Sequence, residues 1–286
     1  MPRGISLHVG INRTSSTFAS ASTLSGAEND AREMDLIAAA KGFAPHDLLL
    51  GSEATYAVVT SKIRAAADTL EAGDIFLFTF AGHGFQKPDN DFDETDDFSD
   101  ETILLYDMHL VDDVFRKDLL PSFKDGVRVL GISDSCHSQT IFAGPPPDLD
   151  DDVGPLDGVL DGNLSVIPEI PRFTPGGALA RTISDVTASQ HFEEHRAFYE
   201  NTYVPFFKPI RASVLLLAAC LASETTGDGD PNGAYTAAML KVLRYSDPAD
   251  YKTLVTSIAA ELPWQNPTYE PFGTLIGFED QEPFLI

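Results

Sequence analysis

The sequence predicts an α/β fold: a mostly parallel sheet of about six strands with helices on both faces. Three observations predict it. Short β-prone apolar runs alternate with segments of helical periodicity through the first half of the chain. Two of these runs, Asp74 to Phe80 (DIFLFTF) and Gly126 to Ser133 (GVRVLGIS), are near-continuously apolar, as expected of central strands covered on both faces. A late apolar run, Ser213 to Ala219 (SVLLLAA), lies in a C-terminal piece with too few elements for its own core. Its strand is therefore expected to join the same sheet.

Taken in order, Gly4 to Ile11 (GISLHVGI) reads as the first buried strand, and Gly26 to Ala40 as a helix. Leu48 to Leu50 is a short strand. Thr55 caps a helix in which Val59, Ile63, Ala66 and Leu70 recur at helical spacing, and Gly73 ends it. After DIFLFTF come a strand at Thr102 to Tyr106 and a short helix from Asp112 to Leu120, then GVRVLGIS. From Gly144 to Ala212 the pattern breaks for 69 residues, with three consecutive prolines, an Asp run and several glycines. Only Gln190 to Glu200 has helical character there. Long irregular segments inside compact domains are usually functional or mobile. Ala234 to Leu243 and Asp250 to Leu262 read as helices, and Pro263 to Ile286 as an irregular tail. There are no internal repeats. The expected organisation is one domain over residues 1–286: a large part (1–143), a long linker (144–212) and a small part (213–286).

A net charge of −25 argues against a nucleic-acid surface, which needs a basic patch. It favours basic partners, cations or simple solubility, and most of the carboxylates read as solvated surface. Two cysteines, Cys136 and Cys220, rule out a disulfide framework and suit a reducing compartment. The first residues lack the length and cleavage signal of a secretory leader. No stretch reaches the roughly 18 apolar residues of a membrane span. A soluble cytoplasmic protein is expected.

In open parallel sheets, active sites sit just past the carboxyl ends of strands. Two such ends carry reactive groups. DIFLFTF runs into Ala81-Gly82-His83-Gly84, and GVRVLGIS into Asp134-Ser135-Cys136-His137-Ser138. A thiolate attacks a carbonyl well, and an imidazole can deprotonate it and later protonate the leaving amine. Neighbouring strand ends would bring His83 and Cys136 together. Glycines beside His83 permit close approach of substrate, and the N–H groups of Gly84 and Cys136 could form an oxyanion hole. The blander readings are a buried core cysteine and a satisfied loop histidine. Cys220 reads as core, and His137, adjacent in sequence to the thiol, as structural.

FTFAGHG followed by ISDSCHS, with His83 and Cys136 53 residues apart (136 − 83), resembles the metacaspase branch of the caspase-like cysteine peptidases. HVGIN, LSGAENDAREM, DETILLYD, VDDVF, SVLLLAAC and ASETTGDGDPNGAYTAAML resemble further segments of that family in the correct order, over residues 4–142 and 213–262. The resemblance implies a caspase-like α/β/α sandwich and an endopeptidase using a Cys136–His83 dyad. It also implies acidic specificity residues at Asp134 and Asp30, selecting Arg or Lys before the cut bond. The bland reading of Asp30 is a stabilising charge in a helix first turn. Two departures stand out. Asp134-Ser135 precedes the nucleophile where vertebrate-type caspases have Gln-Ala, and Gln139 follows CHS where the family commonly has Gly. The second is expected to alter the loop and not the chemistry.

Some metacaspases need calcium, and the resemblance matches Asp112 and Asp113 to two calcium ligands; a third expected position is Ala143, so that set is incomplete. Eight acids in 13 residues, Asp89 to Glu101, could serve cations or be a solvated loop. Calcium is thus a possible activator, not a requirement of the chemistry, and the metal ligands are left unassigned. The linker starts with six acids in Asp148 to Asp161 and continues with Arg172, Arg181, Arg196, Lys208 and Arg211. If the enzyme cuts after basic residues, these are its own processing sites; an upstream protease is the other route. The expected partners are protein or peptide substrates with Arg or Lys at the cut bond. Competing readings are a caspase-like peptidase of other side-chain preference, a non-catalytic scaffold, or a calcium-binding regulator.

Overall fold

The structure is a computed structural model that describes residues 1–16, 18, 23–88, 99–136, 181, 190, 194–195, 198–199, 209–221, 224–274 and 277–286. Its main sheet has six strands in the spatial order His46–Leu50, Gly4–Gly10, Ile75–Ala81, Arg128–Asp134, Ser213–Ala218 and Thr268–Gly273. Five are mutually parallel: β1 (Gly4–Gly10), β2 (His46–Leu50), β3 (Ile75–Ala81), β7 (Arg128–Asp134) and β8 (Ser213–Ala218). The sixth, β9 (Thr268–Gly273), runs antiparallel to β8. β3 lies between β1 and β7 and is buried along its whole length, which is why DIFLFTF shows no alternation.

Side chains leave β3 alternately toward two apolar layers. Phe76, Phe78 and Phe80 meet Val59, Ile63, Ala66 and Leu70 around α2 (Tyr56–Thr69). Ile75 and Leu77 meet Met34 and Ala38 of α1 (Ala27–Lys41), with Tyr235, Met239, Leu254 and Ile258 from the C-terminal helices described below. Helices therefore cover both faces, giving the α/β/α sandwich. Thr55 caps α2 by accepting from the Val58 N–H. Gly42 ends α1 in the left-handed region (φ 92°), where a residue without Cβ is favoured.

Two expectations need correction. The strand predicted at Thr102 to Tyr106 does not enter the main sheet. β5 (Ser99–Leu104) pairs antiparallel with β4 (Gly84–Pro88) and β6 (His109–Val111) as a separate three-stranded sheet. The tail is not all irregular: β9 takes the sixth place. β9 is half-exposed and carries Pro271 and Gly273, features that an edge strand tolerates and that hide it from pattern reading. The helix at Asp112 to Leu120 exists but is irregular: α3 (Asp112–Val114) passes into a π-helical turn (Phe115–Leu119) and a 3-10 turn containing Pro121.

After β8 come α4 (Ala234–Tyr245) and α5 (Tyr251–Glu261). α4 packs its buried residues Tyr235, Ala238, Met239 and Val242 on the layer that also holds α1. Among the described residues, no helix is long and apolar enough to cross a membrane.

Candidate active site

The pairing of β3 with β7 sets the two candidate residues, His83 and Cys136, on neighbouring strand ends. Ala81 stands opposite Asp134 in register. Two residues further along each chain are His83 and Cys136, so the sequence separation of the pair equals the register offset of two adjacent parallel strands. Both side chains are buried. The loops that carry them are in direct contact. A Cβ on Gly84 would fall 2.0 Å from the Cys136 carbonyl oxygen, so only glycine allows this approach. The Gly82 N–H donates to the Asp134 carbonyl (3.4 Å), and the Leu104 N–H donates to the His83 carbonyl (3.0 Å). The small antiparallel sheet thereby braces the histidine loop.

The Cys136 thiol lies 3.6 Å from the Thr226 carbonyl oxygen. Burial pushes its pKa well up, and the nearby Cys220 adds to this. At rest the sulfur is a thiol, and a nucleophile made from it needs a base. Cys220 is buried, with its sulfur against the carbonyls of Ser135 (3.7 Å) and Glu224 (3.5 Å), as expected of a core residue.

Beside the thiol lies a cluster of buried charges. Asp134 comes from the end of β7, Asp30 from the first turn of α1, and Asp228 from the loop before α4. They surround the guanidinium of Arg181, which is fully buried. Its Nη2 is 2.5 Å from Asp30 Oδ2 and 3.1 Å from Asp228 Oδ1, while Nη1 lies 3.2 Å from Asp134 Oδ1 and 2.9 Å from the Asp134 carbonyl. Each acid is also held from behind. Asp228 accepts the N–H of Ser25 and Gly26, Asp30 accepts Asn232 and the Gly233 N–H, and Asp134 accepts the N–H and hydroxyl of Thr236. Burial raises the Asp30 pKa to about 6, against the opposing pull of Arg181. Burial works against the charge of Arg181 too, but Asp134, Asp30 and Asp228 outweigh it and keep the guanidinium protonated.

The main chain of Arg181 is held as well. Its carbonyl oxygen accepts the Gly84 N–H at 2.9 Å, and its own N–H donates to the Thr226 carbonyl at 3.2 Å. That is the carbonyl the Cys136 sulfur faces. One residue therefore joins three features: the acidic pocket, the Gly84 N–H and the neighbourhood of the thiol.

Of the residues singled out in the sequence, the structure brings together His83, Gly84, Cys136, Asp134 and Asp30. Asp30 does sit in a helix first turn, but its carboxylate faces Arg181 and Gly233 and not solvent. Arg181 joins them from among the five linker basics. Arg211 is exposed, whereas Arg172, Arg196 and Lys208 lie outside the described residues. The sequence reading missed Asp228, Thr226 and Gly233. The signal was the turn-rich GDGDPNG just ahead of a helix, where an acid reads as a loop residue.

Asp112 accepts the N–H of Asp113 (2.8 Å) and Glu101 (3.3 Å), and Asp113 pairs with Lys117 (2.8 Å), so these two carboxylates are engaged inside the protein. Among the described residues, no group of three or more His, Cys, Asp or Glu could hold a metal ion. His137, Gln139, Ala143 and most of the acidic stretches (residues 89–98 and 148–161) lie outside the described residues.

The sequence model of the caspase domain (Peptidase_C14) matches residues 3–275. Among curated proteins, a metacaspase-1A of Aspergillus clavatus is 27% identical over 283 residues, 90% of this chain and 62% of that protein. A metacaspase-1 of Emericella nidulans is 26% identical, covering 90% of this chain and 66% of that protein. The chain thus spans just under two thirds of the length of these relatives. A crystal structure of a Geobacter sulfurreducens protein superposes with a TM-score of 0.78 at 31% identity, covering 100% of this chain and 99% of that one. Caspase-1 of Spodoptera frugiperda, at 13% identity and a TM-score of 0.53 over 96% of this chain and 87% of that one, shares the fold.

Proposed function

The chain belongs to the caspase-domain family, and we propose that it is a cysteine endopeptidase that cuts after basic residues through a Cys136–His83 dyad. His83 takes the Sγ proton, and the thiolate adds to the substrate carbonyl carbon. The oxyanion is stabilised by the N–H groups of Gly84 and Cys136. Collapse breaks the C–N bond, and the imidazolium returns the proton to the departing amine. Water, deprotonated by His83, then hydrolyses the thioester and regenerates the thiol.

One observation carries the reading. Arg181 fills the pocket of Asp30, Asp134 and Asp228 while its carbonyl accepts the Gly84 N–H. It stands in for the residue before the cut bond, with its side chain on carboxylates and its carbonyl on the proposed oxyanion donor. A substrate ending in Asp would bury a fourth carboxylate among these three, at a penalty of several kcal/mol. The same observation supports activation by cleavage of the linker, and it favours Arg181 over the other four linker basics as the residue before the cut bond. That bond lies between β7 and β8, which are neighbours in the sheet, so the two pieces would remain joined by their pairing.

The test is turnover of peptides ending in Arg, Lys or Asp by wild type and by Cys136→Ala, each with and without calcium. Cleavage of the basic peptides by wild type alone is expected. Preference for the Asp peptide would overturn the pocket assignment. Absence of any turnover would favour a non-catalytic scaffold.

A further inference from the structure

Resting on that reading, we infer that Asp228 and Gly233 make the pocket selective for arginine over lysine. A Cβ built on Gly233 would lie 2.3 Å from Nη2, 2.6 Å from Cζ and 2.9 Å from Nη1 of Arg181. A point so close to all three atoms faces the flat side of the guanidinium. Gly233 therefore forms one wall of a slot that admits a planar group, and any side chain there would fill it.

The acceptors are arranged to match a fork. Asp30 and Asp228 flank Nη2, and the carboxylate and carbonyl of Asp134 flank Nη1. Lysine ends one atom earlier, with its ammonium nitrogen near the place of Cζ. Its three donors start from that single point and cannot reach four acceptors spread over two nitrogens, so at least one buried acceptor loses its partner. Against this stands Nε of Arg181, which is buried without a hydrogen-bond partner among the described residues. A lysine methylene would lose nothing at that place. One unmet donor is a smaller loss than a buried carboxylate without its contact to the cation, since hydrogen bonds between charged groups are the stronger kind.

Asp228 is the member that makes the fork. It is 6% exposed, and its position is fixed by the N–H groups of Ser25 and Gly26 at the start of α1. That anchoring does not depend on what fills the pocket. Asp30 and Asp134 alone would leave Nη2 with a single carboxylate, an arrangement nearer to what a point charge needs.

The experiment compares kcat/KM for two peptides identical but for Arg or Lys before the cut bond, using the full chain, Asp228→Asn and Gly233→Ala. Wild type should favour Arg by about tenfold or more. Asp228→Asn should lower the Arg value mainly through KM and bring the ratio to within a few-fold. Gly233→Ala should remove cleavage of both peptides. Equal rates on Arg and Lys in wild type, or an unchanged ratio in Asp228→Asn, would overturn the inference and leave the basic-residue peptidase standing. If wild type cuts neither peptide, the proposed function falls and this inference falls with it.

Discussion

The two apolar layers of the main sheet and the pocket at its edge are equally shielded from water, yet they are built on opposite chemistry. Around β3, burial of Phe76, Leu77 and Phe78 among aliphatic neighbours is itself stabilising, at about 1.5–3 kcal/mol for each large side chain. Around Arg181, three carboxylates and a guanidinium share a site with almost no access to water. There desolvation opposes burial, and the raised pKa of Asp30 is its sign. A fold seeking only stability gains little from such a cluster, because well-packed apolar groups do as well or better. The pocket lies next to the Cys136 thiol, just past the end of β7, which is where a departure from core chemistry is expected to serve function.

Substitutions in the two regions should therefore fail in different ways. Cys136→Ala should lower turnover by at least about a thousandfold, the scale expected when one member of a catalytic unit is lost. Its thermal unfolding should stay close to wild type, and a large fall in stability would place Cys136 with the core instead. Leu77→Ala should do the reverse. It removes a buried side chain from the centre of the sheet, at about 2–5 kcal/mol, while activity per folded molecule is retained. Denaturant unfolding with an active-site titration separates the two outcomes.

Arg181→Ala probes the pocket from within. It leaves Asp30, Asp134 and Asp228 without their cation, a loss of about 1–3 kcal/mol at neutral pH once water enters. The sign with pH follows from Asp30. Its folded pKa, about 6 with Arg181 present, lies above the 3.8 of an unperturbed aspartate, so the folded state binds protons that the unfolded state does not. That raised value reduces stability as pH rises through the window, and removing Arg181 widens the window upward. The stability gap between variant and wild type should therefore narrow as pH is lowered from 7 toward 5. A gap that widens on acidification would contradict the charge account. At the far end, Lys41→Met breaks an exposed pair with Glu282 (3.0 Å) and should change stability by less than about 1 kcal/mol.

The same contrast decides what was legible in the sequence. The apolar region was readable because its rules are periodic. GISLHVGI, DIFLFTF, GVRVLGIS and SVLLLAA all appear as strands, and His83 and Cys136 were found because each follows one of them. β9 was missed because an exposed edge with proline lacks that signature. β5 was recognised as a strand, but no local pattern says which sheet a strand enters. The pocket was only half readable. Asp134 and Asp30 came from resemblance, whereas Asp228 and Gly233 sit in a turn whose residues also suit ordinary loops. Arg181 looked like any of five basic residues, and only the three-dimensional closure of a long connection singles it out.

The central claim is that Cys136 cuts after a basic residue held by these acids, and that Arg181 is already so held. The most direct measurement is mass spectrometry of purified wild type and Cys136→Ala after prolonged incubation, reading any new N-terminus. The account predicts a fragment beginning at Thr182 in the wild-type sample and none in Cys136→Ala. A wild type that stays whole while it turns over basic peptides, or the same fragment from the protein lacking the thiol, would contradict it.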